Sequence, residues 1–428
     1  MNFTAVFCVP IRYAVIKAFR RMEASLIESL KRLRRYLGIP KVADEPGRSL
    51  DLDALRGLAI LLVVLGHAIT YTQPDFRAPV FTPVNFLAAF IYTFHVPLFC
   101  FVSGFVVFGR RISGRDKFLR LAVPFLAWIP VSYLVDCYAV RVQPGMHDMV
   151  QRALRGQLGL WYLWFLFLCC LTLIPVRWVE PRGRYSGEIA LAVLVVFFIV
   201  VPLNIRGIPD LRNWFPFFAL GYLVAKHKSL LKRFRPEAVY ASLRGAGFLF
   251  LALFALLYQK VIHFYYVNGI RDIFANPQQY FWHVLLAVLG IAASVYFVRA
   301  LKKGFAYRTL CWFGLVSMDI YVAQALMLKL AQGTAWGLIG QAFAAGVFLS
   351  LALSFFVLRR SRMLGALFLG MEWVRPDTVG SWVRARWAPV GLALLGWLQI
   401  SLTSLSGRRM RTARAAPGTI QRLNRQEQ

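Results

Sequence analysis

The sequence predicts an all-α fold, a polytopic membrane bundle of about ten transmembrane helices. Composition is the first reason: of 428 residues, 59% are hydrophobic and 16% charged, with a mean hydropathy of +0.58, outside the soluble globular range. Pattern is the second, because apolar stretches near the ~20 residues needed to cross a bilayer recur along the chain. The third is the placement of the basic residues. The net charge of +31 sits mostly in short loops, and these alternate with loops that hold few cations.

That placement also excludes a function class. A net charge this high could serve nucleic acid, but the cations flank apolar stretches and no DNA- or RNA-binding motif is present, so no nucleic-acid partner is expected. The six cysteines have no CxxC spacing and mostly lie in apolar runs. They read as small buried hydrophobes, with neither a disulfide framework nor a metal site.

Residues 1–48 form a basic amphipathic segment and linker. Ile27, Leu30, Leu33 and Leu37 recur at helical spacing among Lys31, Arg32, Arg34 and Arg35, the pattern of a helix lying on an anionic lipid surface. Residues 49–362 form the membrane domain, with apolar segments at 52–72, 84–109, 118–138, 160–179, 188–202, 214–225, 240–262, 281–298, 310–330 and 336–358. The fifth and sixth are short for full spans. RRISGRDK, VRWVEPRGR, KHKSLLKRFR, RALKKGFAYR and RRSR are the strongly basic loops. The positive-inside rule then puts the amino terminus in the cytoplasm of a multi-pass protein of the bacterial inner (plasma) membrane. Residues 363–428 read as an interfacial segment and a disordered basic tail, with 389–405 peripheral rather than crossing.

The first span, SLDLDALRGLAILLVVLGHAIT, contains three residues that are expensive in hydrocarbon: Asp53, Arg56 and His67. Ionisable groups inside a span are functional candidates by default. Arg56 and His67 are eleven residues apart, three turns plus ~20°, so they share one helix face and stand roughly 16 Å apart along the axis. Asp53 precedes Arg56 by one turn and can pair with it. An anion-binding mouth leading to a buried imidazole is the expected arrangement. The second span, FHVPLFCFVSGFVVFGRR, supplies His95 and Ser103 and ends on Arg110 and Arg111. The fourth opens on the aromatic LWYLWFLF with Trp164, and the ninth holds Asp319, Tyr321 and Gln324. His95, Ser103, Trp164, Asp319 and Tyr321 are the candidate substrate-cavity residues. Bland readings stand beside them: Arg110 and Arg111 as topology anchors, His95 as a packing hydrogen bonder, Trp164 as an interfacial aromatic, and Asp319 as the neutraliser of a nearby cation.

DALRGLAILLVVLGH resembles the first-span signature of the integral-membrane acyltransferase-three family, an Arg followed by ten residues and a His. FHVPLFCFVSGF resembles its second-span pattern, LRLAVPFLAW its Arg-Leu-x-x-Pro start, LWYLWFL its Trp-Phe-Leu motif and GLVSMDIYV its Ser-Leu-x-Ile-Tyr element. The resemblance covers residues 50–362, and its specificity lies in all five motifs falling in order. Members transfer acyl groups, usually acetyl from acetyl-CoA, to hydroxyls of cell-surface glycans, lipid-linked sugars or exported small molecules. The resemblance implies His67 as the catalytic imidazole with Arg56 as its helix partner, and Asp53 completes that set. It implies Arg110 and Arg111 at the acyl-CoA entrance, acyl-CoA as co-substrate with no permanently bound cofactor, and membrane lipids as surroundings. Gln324 stands where many relatives have His, so no catalytic role is assigned to it. A rival reading, a transporter or flippase with His67 and Asp319 relaying protons, finds no internal repeat to support it.

Overall fold

The computed structural model describes residues 48–73, 82–154, 158, 160–201, 208–231, 233–258, 267, 269–301, 304–331 and 339–371. The N-terminal amphipathic segment and most of the C-terminal one, including 389–405, lie outside these residues. Among the described residues every regular element is helical: α1 (Leu50–Thr72), α2 (Pro83–Phe108), α3 (Gly114–Ala139), α4 (Met146–Leu154), α5 (Trp161–Val179), α6 (Ser186–Val200), α7 (Ile208–Lys226), α8 (Pro236–Leu257), α9 (Pro277–Ala300), α10 (Phe305–Leu315), α11 (Ser317–Ala331), α12 (Ile339–Phe356) and α13 (Arg362–Leu369). Each predicted apolar stretch overlaps one of them.

Among the described residues seven helices are long and apolar enough to cross a membrane, or eight if α10 and α11 count as one span bent by 75°. Two of the ten predicted stretches fall outside that count for physical reasons. α6 has only 15 residues. α7 begins well before its apolar part, because its polar first turns are satisfied internally. Arg212 Nε and Nη2 donate to the Phe198 and Val201 carbonyls at the end of α6, at 3.1 and 2.8 Å. Asn213 exchanges two bonds with the Val267 backbone, at 3.0 and 2.8 Å.

α1 and α2 are the most enclosed spans and α8 the least. α1 packs against α2, α9, α10, α11 and α12, while α2 packs against α7 and α9. Large apolar side chains such as Leu126, Val193, Phe248, Leu256 and Phe348 stand exposed on the outer helices, where lipid rather than protein would cover them. Two helix pairs approach to backbone contact through glycines. A Cβ on Gly57 would collide with the Leu310 carbonyl, and one on Gly314 with the Asp53 carbonyl, locking α1 to α10. Gly104 against Phe218 and Gly221 against Phe101 lock α2 to α7 in the same reciprocal way. Without a hydrophobic drive between helices in lipid, such close approach is how spans hold together.

α3 contains one π-type turn, Phe118–Ala122, in which the Val123 amide reaches back to the Phe118 carbonyl. Pro124 follows and lacks an N–H, so the regular ladder is already interrupted there. The chain after α12 returns onto this helix as α13. Trp128 Nε1 donates to the Phe368 carbonyl at 2.9 Å. Gly370, at φ 61°, has no room for a Cβ against the Arg120 carbonyl.

Candidate functional site

α1 organises the polar interior from one end to the other. At its first turns Asp51 accepts from Tyr307 Oη at 2.6 Å, and Asp53 accepts from Arg48 Nε at 2.7 Å. The expected Asp53–Arg56 pair is present but long, 3.9 Å from Nη1. Arg48 is therefore the direct partner of Asp53, and sequence spacing within one helix could not reveal it. Arg56 has no closer polar contact among the described residues, keeps 31% of its side chain accessible, and lies within electrostatic range of Arg110 and Tyr162.

Arg110 and Arg111 are exposed at the end of α2. Their position is fixed by Arg177 of α5, whose guanidinium donates to the Val107 and Phe108 carbonyls at 2.7 and 2.6 Å and also to that of Arg110. A cation on the last carbonyls of a helix satisfies acceptors that have no intrahelical donor. Arg177 sits in a run that sequence reading counts only as loop charge.

Farther along, His67 Nδ1 lies 3.0 Å from Gln324 Oε1 on α11. With the amide oxygen facing the ring Nδ1 donates, and in that neutral tautomer Nε2 keeps its lone pair. Gln324 is buried and His67 only half-buried. The glutamine to which sequence gave no role is thus the hydrogen-bond partner of His67. Its polarity inside a span was the available signal. His95 Nδ1 donates to the Ile91 carbonyl at 2.8 Å, and its ring meets Tyr92 edge-on. It lies within electrostatic range of His67.

The structure joins Ser103 and Tyr321 through Tyr162, which sequence reading passed over inside an aromatic run. Tyr162 Oη donates to the Phe99 carbonyl at 3.0 Å and accepts from Ser103 Oγ at 2.9 Å. Its amide, one of the unpaired donors at the start of α5, is taken up by Tyr321 Oη at 3.1 Å. Trp164 stacks on Phe125 of α3. Asp319 is also engaged elsewhere: Arg359 Nε and Nη2 bind its two oxygens at 2.7 and 2.8 Å, and Ser354 Oγ donates to it as well. It neutralises a nearby cation, the bland alternative that the sequence leaves open. At the far end of α1, Thr70 bonds Tyr92 at 2.8 Å, and Lys329 of α11 pairs with Asp136 of α3 at 2.5 Å.

Helices of spanning length around a core with interior Arg, His, Tyr and Gln side chains define an integral-membrane protein with a polar interior. The family model described as an acyltransferase domain, acyltransferase family three, matches residues 49–359, and the chain belongs to that family. It is similar to nodulation protein NolL of Sinorhizobium fredii (strain NBRC 101917 / NGR234), 28% identical over 224 residues that make up 46% of this chain and 58% of that protein. It is also similar to nodulation protein NolL of Mesorhizobium japonicum (strain LMG 29417 / CECT 9101 / MAFF 303099), 26% identical over 192 residues, 42% of this chain and 48% of that one. The chain spans about half the length of these curated relatives. No solved structure matches it.

Proposed function

We propose that this protein is a membrane-bound O-acyltransferase. It moves an acetyl or other short acyl group from acyl-CoA to a hydroxyl of a polysaccharide, a glycolipid or an exported small molecule. The observation that carries the reading is the His67–Gln324 hydrogen bond, which in the neutral ring with Nδ1 donating leaves the Nε2 lone pair to act as base on the helix face shared with Arg56. In this scheme Nε2 takes the proton of the acceptor hydroxyl while its oxygen attacks the thioester carbon. The C–S bond breaks, an ester forms, and the imidazolium returns the proton to the departing thiolate. General-base assistance of this kind is worth ~10²–10⁴-fold. The same lone pair would serve a route through an acyl-imidazole.

CoA is polyanionic, and Arg56, Arg110 and Arg111 form a cationic mouth at one end of the bundle, matching phosphate groups in charge and donor geometry. The basic loops support a cytoplasmic position for that end in an inner-membrane protein, on the side where acyl-CoA is found. A proton-relay transporter loses its second relay group, because Asp319 is held bidentately by Arg359.

The test uses the full chain in lipid with labelled acetyl-CoA and a panel of glycan and glycolipid acceptors. His67→Ala abolishes transfer while acetyl-CoA binding survives, since the arginines stand roughly 16 Å away. His67→Gln is nearly as inactive. Folded wild-type protein that fails to bind acetyl-CoA sinks the proposal.

A further inference from the structure

His95 is an interior histidine that the proposed reaction leaves unused. It lies within α2, 2% exposed, and its Nδ1 donates to the Ile91 carbonyl at 2.8 Å. A carbonyl oxygen only accepts, so in the neutral ring the proton is on Nδ1 and Nε2 keeps its lone pair. That Nε2 has no hydrogen-bond partner among the described residues. Elsewhere the bundle serves a carbonyl four residues back with a hydroxyl, from Thr93 at 2.7 Å and Ser294 at 2.8 Å. A side chain needed only for that bond does not require an imidazole, and burying a spare acceptor with it costs free energy.

The packing of α1 on α2 brings this ring to the depth of His67. Gly66, next to His67, closes so tightly on α2 that a Cβ there would stand 3.3 Å from the Tyr92 ring and 3.5 Å from the Ile91 side chain. Thr70, one turn past Gly66, donates to the Gly66 carbonyl and accepts from Tyr92 Oη at 2.8 Å. The Tyr92 ring, fixed in this way, meets the His95 ring edge-on with centroids 4.8 Å apart. The two imidazoles lie within electrostatic range of each other. They differ in access, because His67 is half-buried whereas His95 is almost enclosed. A nitrogen so enclosed has no room for an acyl group, but a proton needs none.

From this juxtaposition we infer that His95 is a second catalytic base, which removes the acceptor's proton while His67 carries the acyl group. The inference rests on the acyltransferase reading of His67 and selects the acyl-imidazole route for it. Once His67 Nε2 has bonded the acyl carbon its lone pair is spent, and it can no longer take a proton. That route needs another base, and His95 Nε2 supplies it. In the first step His67 Nε2 attacks the thioester carbon, the C–S bond breaks, and CoA leaves as a thiolate that takes a proton from solvent. The acyl-imidazole is then a cation, with Nδ1 still donating to Gln324. In the second step the acceptor oxygen bonds the acyl carbon, its proton passes to His95 Nε2, and the C–N electron pair returns to His67. His95 releases the proton to solvent as the ester departs. One acyl-CoA and one alcohol give one ester and one thiol.

The competing reading is that His95 only packs α2, and following the two steps separately distinguishes them. Full-length protein in lipid nanodiscs first receives acetyl-CoA and labelled CoA with no acceptor. Wild-type protein exchanges label into acetyl-CoA, because the first step reverses, and His67→Ala does not. Transfer is then followed with acetyl-labelled acetyl-CoA and methanol or water as the acceptor. His95→Gln keeps exchange within about twofold, but its transfer falls ~10²-fold or more, the worth of a general base. Hydroxylamine, which attacks without a base, restores hydroxamate formation in that variant to the wild-type rate. Exchange and transfer that fall together in His95→Gln overturn the inference, and so does transfer at the wild-type rate. His95→Asn, a smaller amide, is read in the same way if His95→Gln misfolds. Wild-type protein that transfers acetyl without exchange reacts in one step, so the second base falls while the acyltransferase reading stands. Folded wild-type protein that neither binds acetyl-CoA nor transfers acetyl loses both.

Discussion

At the scale of single residues, a histidine serves proton transfer only when one ring nitrogen is held and the other is spare. Gln324 does the holding, so its loss should blunt catalysis without touching the donor. Gln324→Ala removes one neutral hydrogen bond, worth about 0.5–1.5 kcal/mol, and should slow single-turnover transfer roughly three- to tenfold with acetyl-CoA affinity unchanged. A wild-type rate in that variant would show that packing alone orients the ring. That His67 and Arg56 share one helix was legible from hydropathy and spacing. Gln324, Tyr162 and Arg177 were not, because their roles depend on partners far away in the chain: 257 residues separate His67 from Gln324. Asp319 shows the converse limit. Its burial cost was legible, but Arg359, forty residues later, decides that the carboxylate stabilises the fold.

At the scale of elements, periodicity and hydropathy located the helices, while glycines and polar termini decided how they meet. The reciprocal glycine contacts make a sharp prediction. In Gly57→Ala and Gly104→Ala the new methyl meets backbone rather than a flexible side chain, so α1 and α10, or α2 and α7, must separate. Overpacking of this kind costs about 1–3 kcal/mol and should lower the thermal unfolding midpoint in detergent. Gly245→Ala on α8 is the control: nothing lies within 4 Å of its Cβ, and an alanine there should be neutral or stabilising by up to ~1 kcal/mol. Equal destabilisation at all three sites would mean that close approach is not what holds these spans. The polar start of α7 escaped hydropathy because Arg212 and Asn213 are satisfied by neighbouring backbone, information absent from a local window.

At the scale of the whole molecule, the charge asymmetry of the loops predicts that the amino terminus and residue 362 lie inside and that 389–405 does not cross. Single cysteines placed in a cysteine-free background should settle this. Sites beside Arg110 and Arg359 should resist membrane-impermeant maleimide in whole cells, and sites beside Val142 should react. Labelling beside Arg359 from outside would reverse the orientation and put the arginine mouth on the wrong side for CoA.

The break between α10 and α11 has an electrical consequence. A straight span delivers both ends of its macrodipole to the aqueous faces, whereas a span bent by 75° leaves two helix ends within the bundle. The N-terminus of α11 there carries the equivalent of roughly +0.5 of an elementary charge. Asp319 stands in its first turn and holds Arg359 as well, so one carboxylate answers a full cation and a partial one together. The bend can therefore sit at membrane depth with its charges answered from within the chain. Replacing Asp319 by asparagine would leave Arg359 facing a helix end of its own sign.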